Sequence, residues 1–118
     1  MIQLKRVYEG AGPEDGERFL VDRLWPRGLR KETAALNGWP KDAAPSHELR
    51  KWFHGGGGPW EAFRGRYFKE LDANPDGWRS LLAAAREGTV TFLYAAKDPD
   101  HNNAAALKEY LEEKLAGK

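Results

Sequence analysis

Charged residues gather where apolar runs of this chain stop. Asp22-Arg23 and Arg27 follow Phe19-Leu20-Val21, Lys97-Asp98 and His101 follow residues 89–95, and Arg6 closes the run that begins at Ile2. Arginine grips a carboxylate or phosphate through a planar fork, and lysine adds a point charge. Carboxylates beside them orient the cations or exchange protons, and histidine titrates near neutrality. If the apolar runs are parallel strands, Arg6, Asp22, Arg23, Arg27, Lys97, Asp98 and His101 converge on one rim. Open α/β sheets take their ligands at that rim. The chemistry implied is anion binding, with phosphoryl- or acyl-type acid/base chemistry as its extension. Trp25, set between Asp22-Arg23 and Pro26-Arg27, would wall such a pocket.

Each of these residues also has a purely structural use. Asp22 beside Arg23 fits an ion pair at a strand end equally well. Asp98 and Asp100 precede a helical pattern and are caps in the first instance. A histidine at a helix start, as at His101, is more often solvent-exposed than a ligand. The run Gly55-Gly56-Gly57-Gly58 lacks the following Lys and Ser/Thr of a phosphate-binding loop, and with Pro59 behind it reads as a flexible hinge. His47, His54 and His101 are too scattered to specify zinc. No metal is expected, and no cofactor is named by the sequence.

The elements that must position these residues follow from periodicity and punctuation. Residues 2–8 alternate apolar and polar and read as a strand, followed by a loop with Gly10, Gly12, Pro13 and Gly16. Residues 19–25 read as a second strand, stopped by Pro26 and Gly28. Residues 31–44 give a mixed signal, carrying Leu36 and Trp39 and interrupted by Pro40. Ser46 is an N-cap for a helix with Leu49, Trp52 and Phe53 on one face. Pro59 opens another at the first helical position, with Trp60, Phe63, Tyr67 and Leu71 as its stripe. Asn74-Pro75 starts a third, with Trp78, Leu81, Leu82 and Ala85 inward and Gly88 as its stop. Residues 89–95 are the best strand in the chain. Asp98 or Asp100 then caps a last helix to about Lys114, burying Ala104, Leu107, Leu111 and Leu115.

This order predicts an α/β fold: a small, mostly parallel sheet of three to four strands with helices packed around it. The first connection is short enough to leave an antiparallel hairpin open for the first strand pair.

Composition bounds the rest. The chain has 118 residues, room for one domain, with 19 Lys+Arg against 18 Asp+Glu and a formal net charge of +1. Such balance makes nucleic acid an unlikely partner. There are no cysteines, which excludes disulfides, thiolate zinc sites and cysteine nucleophiles. No apolar stretch reaches membrane-spanning length and no signal segment opens the chain, so the expected location is the cytoplasm, away from membranes. Oligomeric state, monomer or homodimer, is not readable. Five tryptophans are a high count. Trp52, Trp60 and Trp78 fit a core, Trp25 fits the site, and Trp39 has no assignment.

The segment Phe19-Leu20-Val21-Asp22-Arg23-Leu24-Trp25-Pro26-Arg27-Gly28 resembles a signature of the YeaO-like proteins, a branch of the domain-of-unknown-function family 488. Three further stretches are similar to the same family: residues 44–54, Trp60 with Phe63, Arg64 and Tyr67, and residues 93–98 followed by His101-Asn102. The resemblance covers nearly the whole chain. It implies a small bacterial or archaeal cytoplasmic protein of compact α/β fold with no established activity. Its motif residues here are Arg6, Asp22, Arg23, Trp25, Arg27, Arg50, Trp52, His54, Tyr67, Lys97, Asp98 and His101. Longer members carry cysteines near the position of Tyr94 and after the last strand, which this chain lacks, so a cysteine-dependent metal or redox role does not carry over.

The leading expectation is therefore an anionic small molecule, phosphate- or carboxylate-bearing, at the carboxyl ends of the strands. Arg6, Arg23, Trp25, Arg27, Arg50, Tyr67 and Lys97 would bind it. Asp22, Asp98, His101 and His54 are the candidates for hydrolase- or transferase-type acid/base work. The alternative is a non-catalytic interaction module that uses the Trp-rich middle segment to bind protein or single-stranded nucleic acid.

Overall fold

Three strands form one parallel sheet in the order β1-β3-β2: β1 is Ile2–Arg6, β2 is Glu17–Leu20 and β3 is Val90–Tyr94. The computed structural model describes residues 1–117. Ile2 and Glu17 both pair with Val90, and Arg6 pairs with Tyr94, so all three carboxyl ends lie at one edge. β3 is buried at every residue, as its β-branched and aromatic run requires of a central strand.

The hairpin left open by the short first connection does not form, because β3 lies between β1 and β2. Residues 7–16 carry the chain back to the start of the sheet without a helix. The return depends on Gly16, whose φ of +65° and close approach to Thr89 suit only glycine. A Cβ there would stand 2.0 Å from the Thr89 carbonyl oxygen, beside the point where Glu17 N donates to it at 3.1 Å.

The outer edge of β2 is covered rather than left open. Leu20 N donates to Gly38 O, Asn37 N donates to Arg18 O, and Arg18 N donates to the Asn37 side chain. Among the described residues this single bridge, Phe19 to Gly38, is all that a fourth strand amounts to.

Among the described residues five α-helices surround the sheet: α1 Lys31–Ala34, α2 His47–His54, α3 Trp60–Ala73, α4 Arg79–Glu87 and α5 Asn103–Leu115. Ser46 caps α2 by accepting from Leu49 N. The larger core cluster joins Val90, Phe92 and Tyr94 to Leu49, Phe63, Tyr67, Leu81, Leu107 and Leu111 of α2 to α5. Strand alternation sends Leu93 to the other face. There it meets Val7 and Leu20 beneath Trp25, Leu29, Leu36 and Trp39.

Several boundaries differ from expectation for identifiable reasons. β1 stops at Arg6, and Tyr8 is exposed with its hydroxyl donating to Arg27 O. β2 stops at Leu20 rather than at Trp25, although Val21 N still donates to Leu93 O. The mixed stretch holds α1 and a 3₁₀ turn, Lys41–Ala43. Pro59 is the N-cap of α3 rather than its first residue. Pro75 opens a 3₁₀ turn, Pro75–Gly77, and α4 begins only at Arg79. The cap of α5 is Asn102, accepting from Ala105 N, not Asp98 or Asp100.

The glycine run is not a free hinge. Gly57 N donates to Trp52 O at 2.8 Å, and a Cβ on Gly57 or Gly58 would lie 2.3 or 2.6 Å from the indole. The Arg66 guanidinium lies 4.1 Å from the centre of the same ring. The glycines are thus needed for contact with Trp52.

Candidate functional site

A cleft of about 260 Å³ opens at the carboxyl edge of the sheet. Its floor is Asp22 from beyond β2 and Ala95 and Ala96 from beyond β3. One wall is His101, Asn102 and Asn103 at the start of α5. The other is Arg50, Phe53 and His54 on α2, with Phe63 of α3 behind them and Arg23 and Pro45 beside them.

Asp22 ties these parts together. Its Oδ2 accepts from Ala95 N at 3.0 Å and its Oδ1 accepts from Asn103 Nδ2 at 3.1 Å. Asn103 Nδ2 also donates to Val21 O. Burial pushes the Asp22 carboxyl above the ordinary carboxylate range, while the bonds from Asn103 and Ala95 and the charges of Arg50 and His54 pull it back. The Asp22 carbonyl accepts the indole N–H of Trp39 at 2.7 Å, which places a tryptophan the sequence left unassigned.

Asp22 and Arg23 are not an ion pair. Arg23 turns away to donate Nε to Pro45 O at 2.9 Å and Nη2 to Ala44 O at 3.3 Å. The preceding carbonyl, Ala43 O, accepts from the fully buried Tyr67 hydroxyl. Glu70 accepts from both the backbone N–H and the hydroxyl of Ser46. Arg23, Tyr67 and Glu70 therefore fasten residues 43–46, the lead-in that sets the direction of α2 and hence of Arg50, Phe53 and His54. Tyr67 does not reach the cleft, and burial pushes its hydroxyl up, away from ionisation.

Several other rim candidates are also placed elsewhere. Arg6 donates Nε to Ala96 O at 2.9 Å and Nη2 to Ala95 O at 3.0 Å, holding the floor from outside. Lys97 and Arg27 are exposed and do not line the cleft. Trp25 donates to Leu29 O and packs edge-on to Trp39 at 5.3 Å on the opposite face of the sheet. Asp98 closes the turn before α5, accepting from Asp100 N and His101 N, and these bonds hold its carboxyl below the usual range. Its Oδ2 lies 3.3 Å from His101 Nδ1.

Of the sequence candidates, Asp22, Arg23, Arg50, His54 and His101 meet in the cleft. Phe53, Phe63, Asn102 and Asn103 were not singled out. No sequence signal pointed to Asn103, because the cap of the last helix was expected at Asp98 or Asp100 and not at Asn102. The aromatic wall is continuous. Phe53 stacks on Phe63 at 4.4 Å, Trp60 stacks on Phe63 at 5.5 Å, and Trp60 lies 5.1 Å from the His101 ring. Among the described residues no three of His, Asp and Glu gather as a metal-holding group.

A buried ion pair lies elsewhere, at the amino edge. Arg18 pairs with Asp15 and also donates to Ala34 O and Ala35 O, while Lys5 reaches Asp15 at 3.2 Å.

A three-stranded parallel sheet with helices packed around it defines a small α/β fold. The chain belongs to the DUF488-N3i family, described as the inactive DUF488-N3 subclade, whose model matches residues 1–118. It is 44% identical over 110 residues to the uncharacterized protein YeaO of Escherichia coli (strain K12), covering 93% of this chain and 96% of that one. It is 39% identical over 114 residues to the uncharacterized proteins Rv3073c of Mycobacterium tuberculosis and Mb3100c of Mycobacterium bovis, covering 93% of this chain and 92% of each. The YeaO-like membership that the motifs suggested is thereby shown. No solved structure matches the chain significantly. Among the described residues no helix is long and apolar enough to cross a membrane.

Proposed function

We propose that this protein binds a small organic anion in the cleft at the carboxyl edge of its sheet, and binds it without turning it over. The observation that carries the reading is Arg50. Arg6 and Arg23 are engaged by backbone carbonyls, but the Arg50 guanidinium lines the cleft with no hydrogen bond or salt bridge to any described residue. A cation held in a partly apolar cleft, with only the Asp22 carboxyl near it and no hydrogen bond to it, suits an incoming carboxylate or phosphate.

Three features support binding rather than chemistry. No hydroxyl or thiol nucleophile lines the cleft. Both Asp22 oxygens already accept hydrogen bonds, and His101 is shared between Asp98 and Trp60. The family itself is described as an inactive subclade. The interaction-module reading finds less support, since Trp52 is contacted by Gly57, Gly58 and Arg66, and Trp60 packs on Phe53, Phe63 and His101.

Thermal shift across a panel of phosphorylated and carboxylated metabolites tests the reading, with Arg50→Gln as control. A ligand at 100 times its Kd adds about 2.7 kcal/mol to the wild-type protein and much less to the variant. A panel in which no anion stabilises wild type more than Arg50→Gln removes the reading.

A further inference from the structure

We propose that the anion is an aromatic monocarboxylate, a planar ring bearing a single carboxylate. This rests on the cleft being an anion site and specifies which anion it takes. Charge decides against a phosphate dianion. With Asp22 ionised and the two lining histidines neutral, Arg23 and Arg50 leave the lining one net positive charge. One carboxylate neutralises that charge, whereas a dianion would overcompensate beside the Asp22 carboxyl. The cations that would have raised the count are outside: Lys97, Arg27 and Arg6 do not line the cleft.

Shape decides for a ring. Phe53 is half-buried against Phe63, their planes 28° apart, and both line the cleft. Trp60 continues the stack behind Phe63, also at 28°. A planar ligand laid along this wall extends an existing stack, and offset stacking adds to what its buried area contributes. Arg50 sits three residues before Phe53, within the same turn of α2. The two side chains therefore present cation and ring on neighbouring positions of one helical face. Volume agrees: a cavity on the order of 150 Å³ holds one benzene ring, and the 260 Å³ cleft is larger than that. Asn103, whose Nδ2 is committed to Val21 and Asp22, can offer its side-chain oxygen to a ring substituent that donates a hydrogen bond.

Amide NMR titration of the full chain tests this, with benzoate, benzamide, cyclohexanecarboxylate, acetate and inorganic phosphate as probes, at a pH above the histidine range. The expected result is saturable shifts from benzoate at Arg50, Phe53 and Asn103, and none from neutral benzamide. Cyclohexanecarboxylate should bind roughly two- to tenfold more weakly than benzoate, the worth of the stacking contact. Phe53→Leu should erase that preference while keeping the charge requirement, and Arg50→Gln should erase the difference between benzoate and benzamide. Phosphate or acetate binding as tightly as benzoate overturns the aromatic-carboxylate assignment and leaves the anion site standing. Equal binding of cyclohexanecarboxylate and benzoate overturns the ring requirement. No shift from any anion at any of the three residues overturns this proposal and the anion site together.

Discussion

Asp15 and Asp22 show how two inward carboxylates come to titrate in opposite directions. Asp15 accepts from Gly12 N at 3.0 Å and pairs with Arg18 and Lys5; the Gly12 bond foremost, then those cations, outweigh burial and hold it below the ordinary value of 3.8. Asp22 has neutral donors, and burial wins, holding it above 3.8. Stability follows protons. For Asp15 the folded state releases its proton more readily than the unfolded chain, so its contribution is complete above the unfolded value and fades as pH falls through the depressed one. For Asp22 the folded state keeps its proton longer, so stability declines as pH rises from about 3.8 through the raised value. Urea unfolding of Asp15→Asn and Asp22→Asn between about pH 2 and 7 checks this. The deficit of Asp15→Asn should be largest near neutrality and shrink on acidification. Asp22→Asn should instead gain on wild type as pH rises. Slopes of the same sign for the two variants would contradict the assignment.

At the scale of elements, the position of α2 rests on a row of carbonyls in an irregular segment. Residues 43–45 present three successive carbonyls, taken by Tyr67, Arg23 and Arg23 again. Arg23→Lys keeps the charge but cannot supply two donors in that fixed fork, so it should destabilise the fold by about 1.5–3 kcal/mol. Chemical denaturation measures this, and an unchanged midpoint would mean that the segment holds itself. The same bonds explain what could be read in advance and what could not. Apolar period located all three strands and the four longer helices, since the stripes Phe63–Tyr67–Leu71 and Leu81–Leu82–Ala85 are buried as spaced. The end of β2 escaped because the apolar run continues while the ladder does not: the first donor beyond β3, Ala95 N, goes to the Asp22 side chain instead of a strand carbonyl. The rim was half readable for a related reason. Sequence places a charge at a strand end, but which loop carbonyl claims its guanidinium depends on how distant segments pack. Arg6 and Arg23 are so claimed and Arg50 is not.

The whole molecule is a sheet with unequal faces. α2 to α5 supply the larger core, whereas Val7, Leu20 and Leu93 are covered by residues 25–39, whose only helix is the four-residue α1. A helix that short has no stability of its own. It is held from outside: Arg18 donates to Ala34 O and Ala35 O, and Ala35 itself adopts a left-handed φ of +51°. Trp25 and Trp39 close the cover, each with its indole N–H on a loop carbonyl. Residues 25–36 of such a segment should open without the rest, because their backbone N–H bonds stay within the segment. β3, bonded on both sides and buried throughout, should open only with global unfolding. Native-state hydrogen exchange in rising denaturant separates the two. Amides of residues 90–94 should exchange with the slope and free energy of complete unfolding, in the range of about 5–15 kcal/mol. Amides of residues 29–34 should exchange at a free energy several kcal/mol lower and nearly independent of denaturant. A shared slope would make the cover part of the same cooperative unit as the sheet. The distinction reaches the cleft, since Trp39 donates to Asp22 O at 2.7 Å. An occupant that steadies Asp22 should therefore slow exchange at residues 37–39 more than at 29–34, and equal slowing at both would break that link.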